Sequence, residues 1–213
     1  MSEVRRTQDH FERLGEPRRP WLDSEALKTR FVESSTVLHP DRYHGADAGT
    51  KAAAGDRYSE LNTAYQVLSE TRARLLYLLE LEAGAKPQDI QRIPPGTMDL
   101  FIEVGQLCRD VDTFLDRRNQ VTSPMLKVRL FTEGIGWVEK LKALQAKISG
   151  KEEALKEELR AMNAIWETAP PMGDDGRVQA LPLARLEEVY RVFSYSARWS
   201  AQIQERLVQL AAG

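Results

Sequence analysis

Leu38-His39-Pro40-Asp41-Arg42-Tyr43 stands between two stretches whose apolar residues recur at helical spacing, and its reading decides the fold. Before it, Asp23 is a good N-cap for a helix carrying Leu27, Phe31, Ser34 and Leu38 on one face. Pro40 stops that helix, because a proline disfavours helical geometry at the residue before it, here His39. A polar loop follows from Asp41 to Gly49. From Thr50 a further helix places Ala54, Tyr58, Leu61, Tyr65 and Leu68 along one side. Two amphipathic helices joined by so short a connection pack as an antiparallel pair, with His39-Pro40-Asp41 at the tip.

Working outward, the pattern stays helical. Asp9 caps a short helix with Phe11 and Leu14, closed by Gly15 and Pro17. Leu75, Leu76, Leu78, Leu79 and Leu81 form a dense fourth helix. Gly84, Pro87, Pro94 and Pro95 then mark a boundary, since paired prolines cannot continue a helix. Beyond it, Leu100, Val104, Leu107, Val111, Phe114 and Leu115 make one stripe. Phe131, Ile135, Val138, Leu141, Leu144 and Ile148 make the next after Ser123-Pro124. Gly150 is expected to interrupt, after which Leu155, Leu159, Met162 and Trp166 resume the pattern. Residues 169–182, with Pro170, Pro171, Gly173, Asp174, Asp175, Gly176 and Pro182, read as a long exposed loop. A last helix carries Leu186, Val189, Tyr190, Phe193, Ile203, Leu207 and Leu210. The expected fold is all-α: residues 1–84, a linker at 85–96, and a helical bundle over 97–213.

Composition removes several classes. The 213 residues are 42% apolar and 29% charged, which suits a globular chain with a real core. Thirty basic against 32 acidic residues give a net charge of −2, without the basic excess of a nucleic-acid surface. No apolar run reaches the ~18–20 residues of a membrane span. Met1-Ser-Glu-Val-Arg-Arg6 lacks the apolar stretch of a secretory signal, so a cytoplasmic location is expected. One cysteine, Cys108, and three histidines exclude a disulfide framework and a closed zinc site within one chain. His39 and His44 with Asp41 or Asp47 are too few and too loosely spaced for a metal, and no cofactor is expected. Cys108 and the tryptophans Trp21, Trp137, Trp166 and Trp199 read as packing residues. No phosphate-binding glycine loop, serine nucleophile motif or carboxylate pair is present, so an enzyme is not expected.

The tripeptide is a weak signal by itself; its neighbours carry more. Phe11-Glu-Arg-Leu-Gly-Glu-Pro17 with Leu22-Asp23, then His39-Pro40-Asp41-Arg42-Tyr43, then Leu61-Asn-Thr-Ala-Tyr-Gln-Val-Leu68, then Arg74 with Tyr77-Leu-Leu-Glu-Leu81, resemble the blocks of a J-domain. More closely the chain is similar to the HscB group of J-domain co-chaperones, which serve iron–sulfur cluster assembly. The likeness covers about the first 85 residues well; the glycine/phenylalanine region and CxxC zinc repeats of ordinary DnaJ proteins are absent. It implies a module that stimulates ATP hydrolysis by a DnaK- or HscA-type chaperone. His39, Pro40 and Asp41 would then form the stimulating tip, with Lys28, Arg30 and Arg42 as the basic residues meeting the chaperone. Glu25 and Glu33 oppose those cations, and Leu38 stands where the family commonly has Tyr, so weak electrostatic steering is expected.

The resemblance also implies that the bundle's first helix receives an iron–sulfur scaffold protein. The family's Met-Glu and Arg-Glu pairs are echoed only by Ile102-Glu103 and Arg109-Asp110. Phe101 and Ile102 lie off the core stripe and are the candidate docking patch, flanked by Asp99 and Glu103. The C-terminal region reads as longer than the family's. Two other readings keep the fold and change the role: a J-protein with an unrelated client, or a structural protein with a J-like fold that no longer engages a chaperone.

Overall fold

Asp9, Asp23, Asp47 and Glu70 start four helices for one reason: each carboxylate accepts hydrogen bonds from amides that the first turn leaves without a partner. The acceptances come from Glu12 N at 2.9 Å, Ala26 N at 2.8 Å, Thr50 N at 3.0 Å, and Arg72 and Ala73 N at 3.0 and 2.7 Å. Bonds from the Thr50 hydroxyl and amide also hold the Asp47 carboxyl below its usual range. A computed structural model of the chain describes residues 9–43, 45–87 and 92–212, apart from the side chain of Pro40. The helices are α1 (His10–Arg13), α2 (Ser24–Leu38), α3 (Ala48–Ser69), α4 (Thr71–Ala83), α5 (Met98–Gln120), α6 (Pro124–Thr168), α7 (Arg177–Ala180) and α8 (Leu183–Ala211), with a 3₁₀ turn at Pro40–Tyr43. No strand occurs among the described residues, as the sequence predicts.

The chain divides into two compact units: Met1–Gln88 with Glu158–Glu187, and Asp89–Glu157 with Glu188–Gly213. The division therefore differs from the expected linear order, because Glu158–Glu187 sort with the N-terminal part. In that first unit Phe11, Leu27, Leu61, Leu68, Leu75 and Leu78 are fully buried. Each contributes about 1.5–3 kcal/mol by leaving water. Gly84 closes α4 at φ +70°, a left-handed conformation that glycine adopts without strain, and its amide donates to Glu80 O at 3.0 Å. Arg74 is buried and donates to the carbonyls of Pro20 (3.0 Å) and Leu68; burial lowers its pKa to about 10. The side-chain amide of Asn163 on α6 accepts from Trp21 N at 3.1 Å and donates to Trp21 O at 3.0 Å.

The loop expected to be exposed at 169–182 is not wholly so. Arg177 and Leu181 are buried, and Arg177 Nε and Nη2 donate to both oxygens of buried Glu82 at 2.7 Å. That bond with Glu82 raises the Arg177 pKa. Trp166 Nε1 donates to the same carboxylate at 3.3 Å. The proline and glycine signals located the turn correctly but not the arginine that ties it to α4.

The second unit packs Val104, Cys108, Val111, Phe114 and Leu115 of α5 with Leu130, Leu141, Leu144 and Ile148 of α6 and Tyr195, Trp199, Ile203 and Leu210 of α8. Ile93 packs against this core, so the described end of the expected linker belongs with the bundle. Gly150 does not interrupt α6. A glycine inside a helix costs only about 1 kcal/mol relative to alanine, less than the buried Leu141, Leu144, Ile148 and Leu155 contribute around it. Phe131 and Ile135 also depart from expectation: both are exposed, because the first turns of α6 border a groove instead of core. No helix of the described residues is long and apolar enough to cross a membrane.

Candidate functional site

Stacked rings set the register of the α2–α3 hairpin. Phe31 faces Tyr65 with centroids 4.2 Å apart, and His39 meets Tyr58 edge-on at 5.4 Å. Eight residues forward from Phe31 to His39 match seven backward from Tyr65 to Tyr58, so α2 and α3 run antiparallel. Helix α2 ends at Leu38 and His39 turns extended (φ −58°, ψ 129°), the geometry a following proline demands. The 3₁₀ turn is closed by Arg42 N to His39 O at 3.0 Å, and Ala46 N donates to Tyr43 O at 2.9 Å.

The tip is presented to solvent: the Asp41 side chain is 90% exposed and that of His39 46%. Asp41 N donates to His39 Nδ1 at 3.3 Å, which assigns the neutral ring's proton to Nε2. The half-exposed ring therefore offers a donor beside an exposed carboxylate. His39 Nδ1 also lies 3.5 Å from Asp41 Oδ2. Lys28 on α2 is exposed, with no ion pair among the described residues. Arg30 and Arg42 are partly engaged within the chain. Arg30 pairs with Glu16 at 3.3 Å and donates to Gly15 O, and Arg42 donates to the Thr36 carbonyl at 3.3 Å. Among the described residues no group of three or more His, Cys, Asp or Glu could hold a metal ion; His44 lies outside them.

On α5, Phe101 and Ile102 are 42% and 58% exposed, while Val104 on the stripe is buried, so the separation of patch from core follows the sequence reading. They line a shallow groove of about 400 Å³ with Gly105 and, from α8, Tyr195, Arg198 and Trp199. The α8 members were missing from the candidates. Their sequence signal, an aromatic pair at i and i+4, is indistinguishable from ordinary core. Asp99 is exposed. Glu103 turns to α6 and pairs with Lys147 at 2.5 Å, away from the groove.

A helical hairpin with His-Pro-Asp at its tip, followed by a helical C-terminal part, is the all-α architecture that the J-domain resemblance implies. No protein-family model matches the chain. It is 35% identical over 74 residues to the co-chaperone protein HscB of Proteus mirabilis (strain HI4320), an alignment covering 35% of this chain and only 43% of that relative. In fold it is similar to the chaperone HscB from Vibrio cholerae (TM-score 0.62, 19% identity, 95% of this chain and 99% of that one). The crystal structure of human co-chaperone protein HscB is also similar (TM-score 0.60, 16% identity, 96% and 84%). The chain is thus HscB-like, in sequence over those 74 residues and in fold over nearly its whole length.

Proposed function

We propose that this chain is a J-domain co-chaperone that accelerates ATP hydrolysis by a DnaK- or HscA-type chaperone and delivers to it the scaffold on which iron–sulfur clusters are built. The observation that carries the reading is the solvent-facing His39–Asp41 tip on an antiparallel hairpin. Such a tip performs no chemistry. It acts by binding one conformation of the chaperone better than another, and the shift is limited by that difference in affinity. His39 Nε2 supplies a donor, Asp41 an acceptor, and Pro40 fixes the backbone between them. Lys28 supplies a cation on the α2 face that is unpaired among the described residues, whereas Arg30 ties α2 to the turn after α1 and Arg42 donates back to the Thr36 carbonyl.

In this reading residues 1–84 act on the chaperone and 97–213 hold the client, with Glu158–Glu187 buttressing the first part. Phe101 and Ile102 anchor the scaffold, with Trp199 and Tyr195 behind them. Asp99, exposed beside the patch, affects on-rate more than affinity, whereas Glu103 is held by Lys147. The names of the relatives, all HscB co-chaperones or chaperones, support the assignment. The test is ATP turnover by a purified HscA-type chaperone with this chain added, alone and with a cluster scaffold protein. Acceleration by the chain and a further rise with scaffold are expected; a flat response to saturating chain overturns the proposal.

A further inference from the structure

A second groove lies in the same unit, at the other end of α5. It measures about 530 Å³ and runs between the first turns of α6, the end of α5 and the end of α8. Its walls include Leu130, Phe131, Ile135 and Val138, with Leu210 of α8 opposite. Phe131 is 67% exposed, and Val128 beside it on α6 is exposed as well. Arg118 and Phe101 are seventeen residues apart on one helix, which at 1.5 Å per residue separates the two grooves by about 25 Å. They cannot be one site.

The charge on this groove selects its occupant. Arg118 and Lys127 line it and no acidic residue does. Arg118 is held by donation to the carbonyls of Gln209 and Leu210, at 2.9 and 3.2 Å, and has no ion pair among the described residues; Asp112 and Asp116 line an adjoining cavity with it, and Asp112 is paired with Arg206. Lys127 has no ion pair among the described residues, and the nearby Glu133 is taken by Arg117. A second copy of this chain pressed face to face would bring Lys127 against its own kind. Residues 1–8 carry Arg5 and Arg6 against Glu3 and are no better matched.

We infer that this groove docks an amphipathic helical segment of another polypeptide, its apolar face seated on Phe131 and Ile135 and its carboxylates set against Arg118 and Lys127. The mode is a helix in a groove, read through residues at i, i+3, i+4 and i+7. This site is independent of the hairpin and of the Phe101 groove, and it gives the bundle two polypeptide-binding faces.

Fluorescence anisotropy of the full chain tests it, with three labelled synthetic helical peptides. They share one leucine face and carry Glu, Gln or Lys along its edge. The Glu peptide should bind at least tenfold more tightly than the Lys peptide, with an advantage that shrinks as salt is raised. Phe131→Ser should weaken it at least tenfold and Lys127→Glu at least fivefold, with melting temperature held, since both side chains are exposed. Phe101→Ala should leave it unchanged, and Phe131→Ser should still stimulate the chaperone, so failure here is distinct from failure of the co-chaperone reading. Equal binding of the three peptides, no binding up to about 1 mM, or loss on Phe101→Ala overturns the inference. So does a dimer in sedimentation equilibrium that Phe131→Ser dissolves, which would assign the face to a second copy.

Discussion

Arg177→Ala is the sharpest test of how the first unit is held. The substitution removes two 2.7 Å hydrogen bonds from the Glu82 carboxylate and one from the Pro170 carbonyl. What remains for Glu82 is a single indole donor at 3.3 Å, on a side chain that water barely reaches. Breaking one partner out of a buried pair costs about 3–5 kcal/mol, because the other charge stays in a poorly solvating site. At ~2–4 °C per kcal/mol for a chain of this size, the melting temperature should fall by roughly 6–20 °C. Urea unfolding followed by tryptophan fluorescence, which Trp166 beside the pair will report, gives the value directly. The double variant Glu82→Leu, Arg177→Met should recover most of the loss, since two apolar residues leave no orphaned charge. An Arg177→Ala protein within about 1 kcal/mol of wild type would refute the reasoning, because then the pair is wet or broken in solution.

The double variant Phe101→Ala, Ile102→Ala should keep its fold and lose more than tenfold in affinity for a cluster scaffold, read by titration calorimetry, as truncating a central aromatic anchor commonly costs ~2 kcal/mol or more. Gly150→Ala should stabilise the chain by about 0.5–1 kcal/mol in urea unfolding, since the position is mid-helix and an added Cβ meets nothing within 4 Å. Cys108 should resist a thiol reagent in the native chain at pH 8 and react promptly in denaturant, because burial pushes its pKa above the ordinary 9.0. The sign follows: the neutral thiol is favoured by folding, so its contribution is full below that ordinary value and is lost as pH rises through the raised one.

Local chemistry is what the sequence states most clearly. Asp9 and Asp23 announce their helices because an N-cap acts within three residues, and Pro40 fixes the hairpin tip for an equally local reason. Asp47 belonged to the same class, with Thr50 three residues on, yet the helix was expected to begin at Thr50 instead of Ala48. What depends on distant partners stayed hidden. Arg177 and Glu82 are 95 positions apart, and nothing in a Pro- and Gly-rich stretch tells which of its charges turns inward. Gly150 misled because its intrinsic penalty is small beside the packing of a 45-residue helix. Phe131 and Ile135 share the period of the core, and periodicity alone cannot say where a core ends. Of the candidate site, the exposure of Phe101 and Ile102 was legible from their place off the stripe. The turning of Glu103 toward Lys147 and of Arg30 toward Glu16 was not.

The central claim is that the hairpin tip drives a chaperone, and one comparison tests it most directly: single-turnover ATP hydrolysis by a cognate HscA-type chaperone with wild-type chain or with His39→Gln. An exposed substitution of this kind changes stability by no more than about 0.5 kcal/mol, so melting temperatures should coincide within ~2 °C. The account predicts that wild type accelerates hydrolysis and His39→Gln, equally folded, does not. Equal acceleration by both proteins would contradict it.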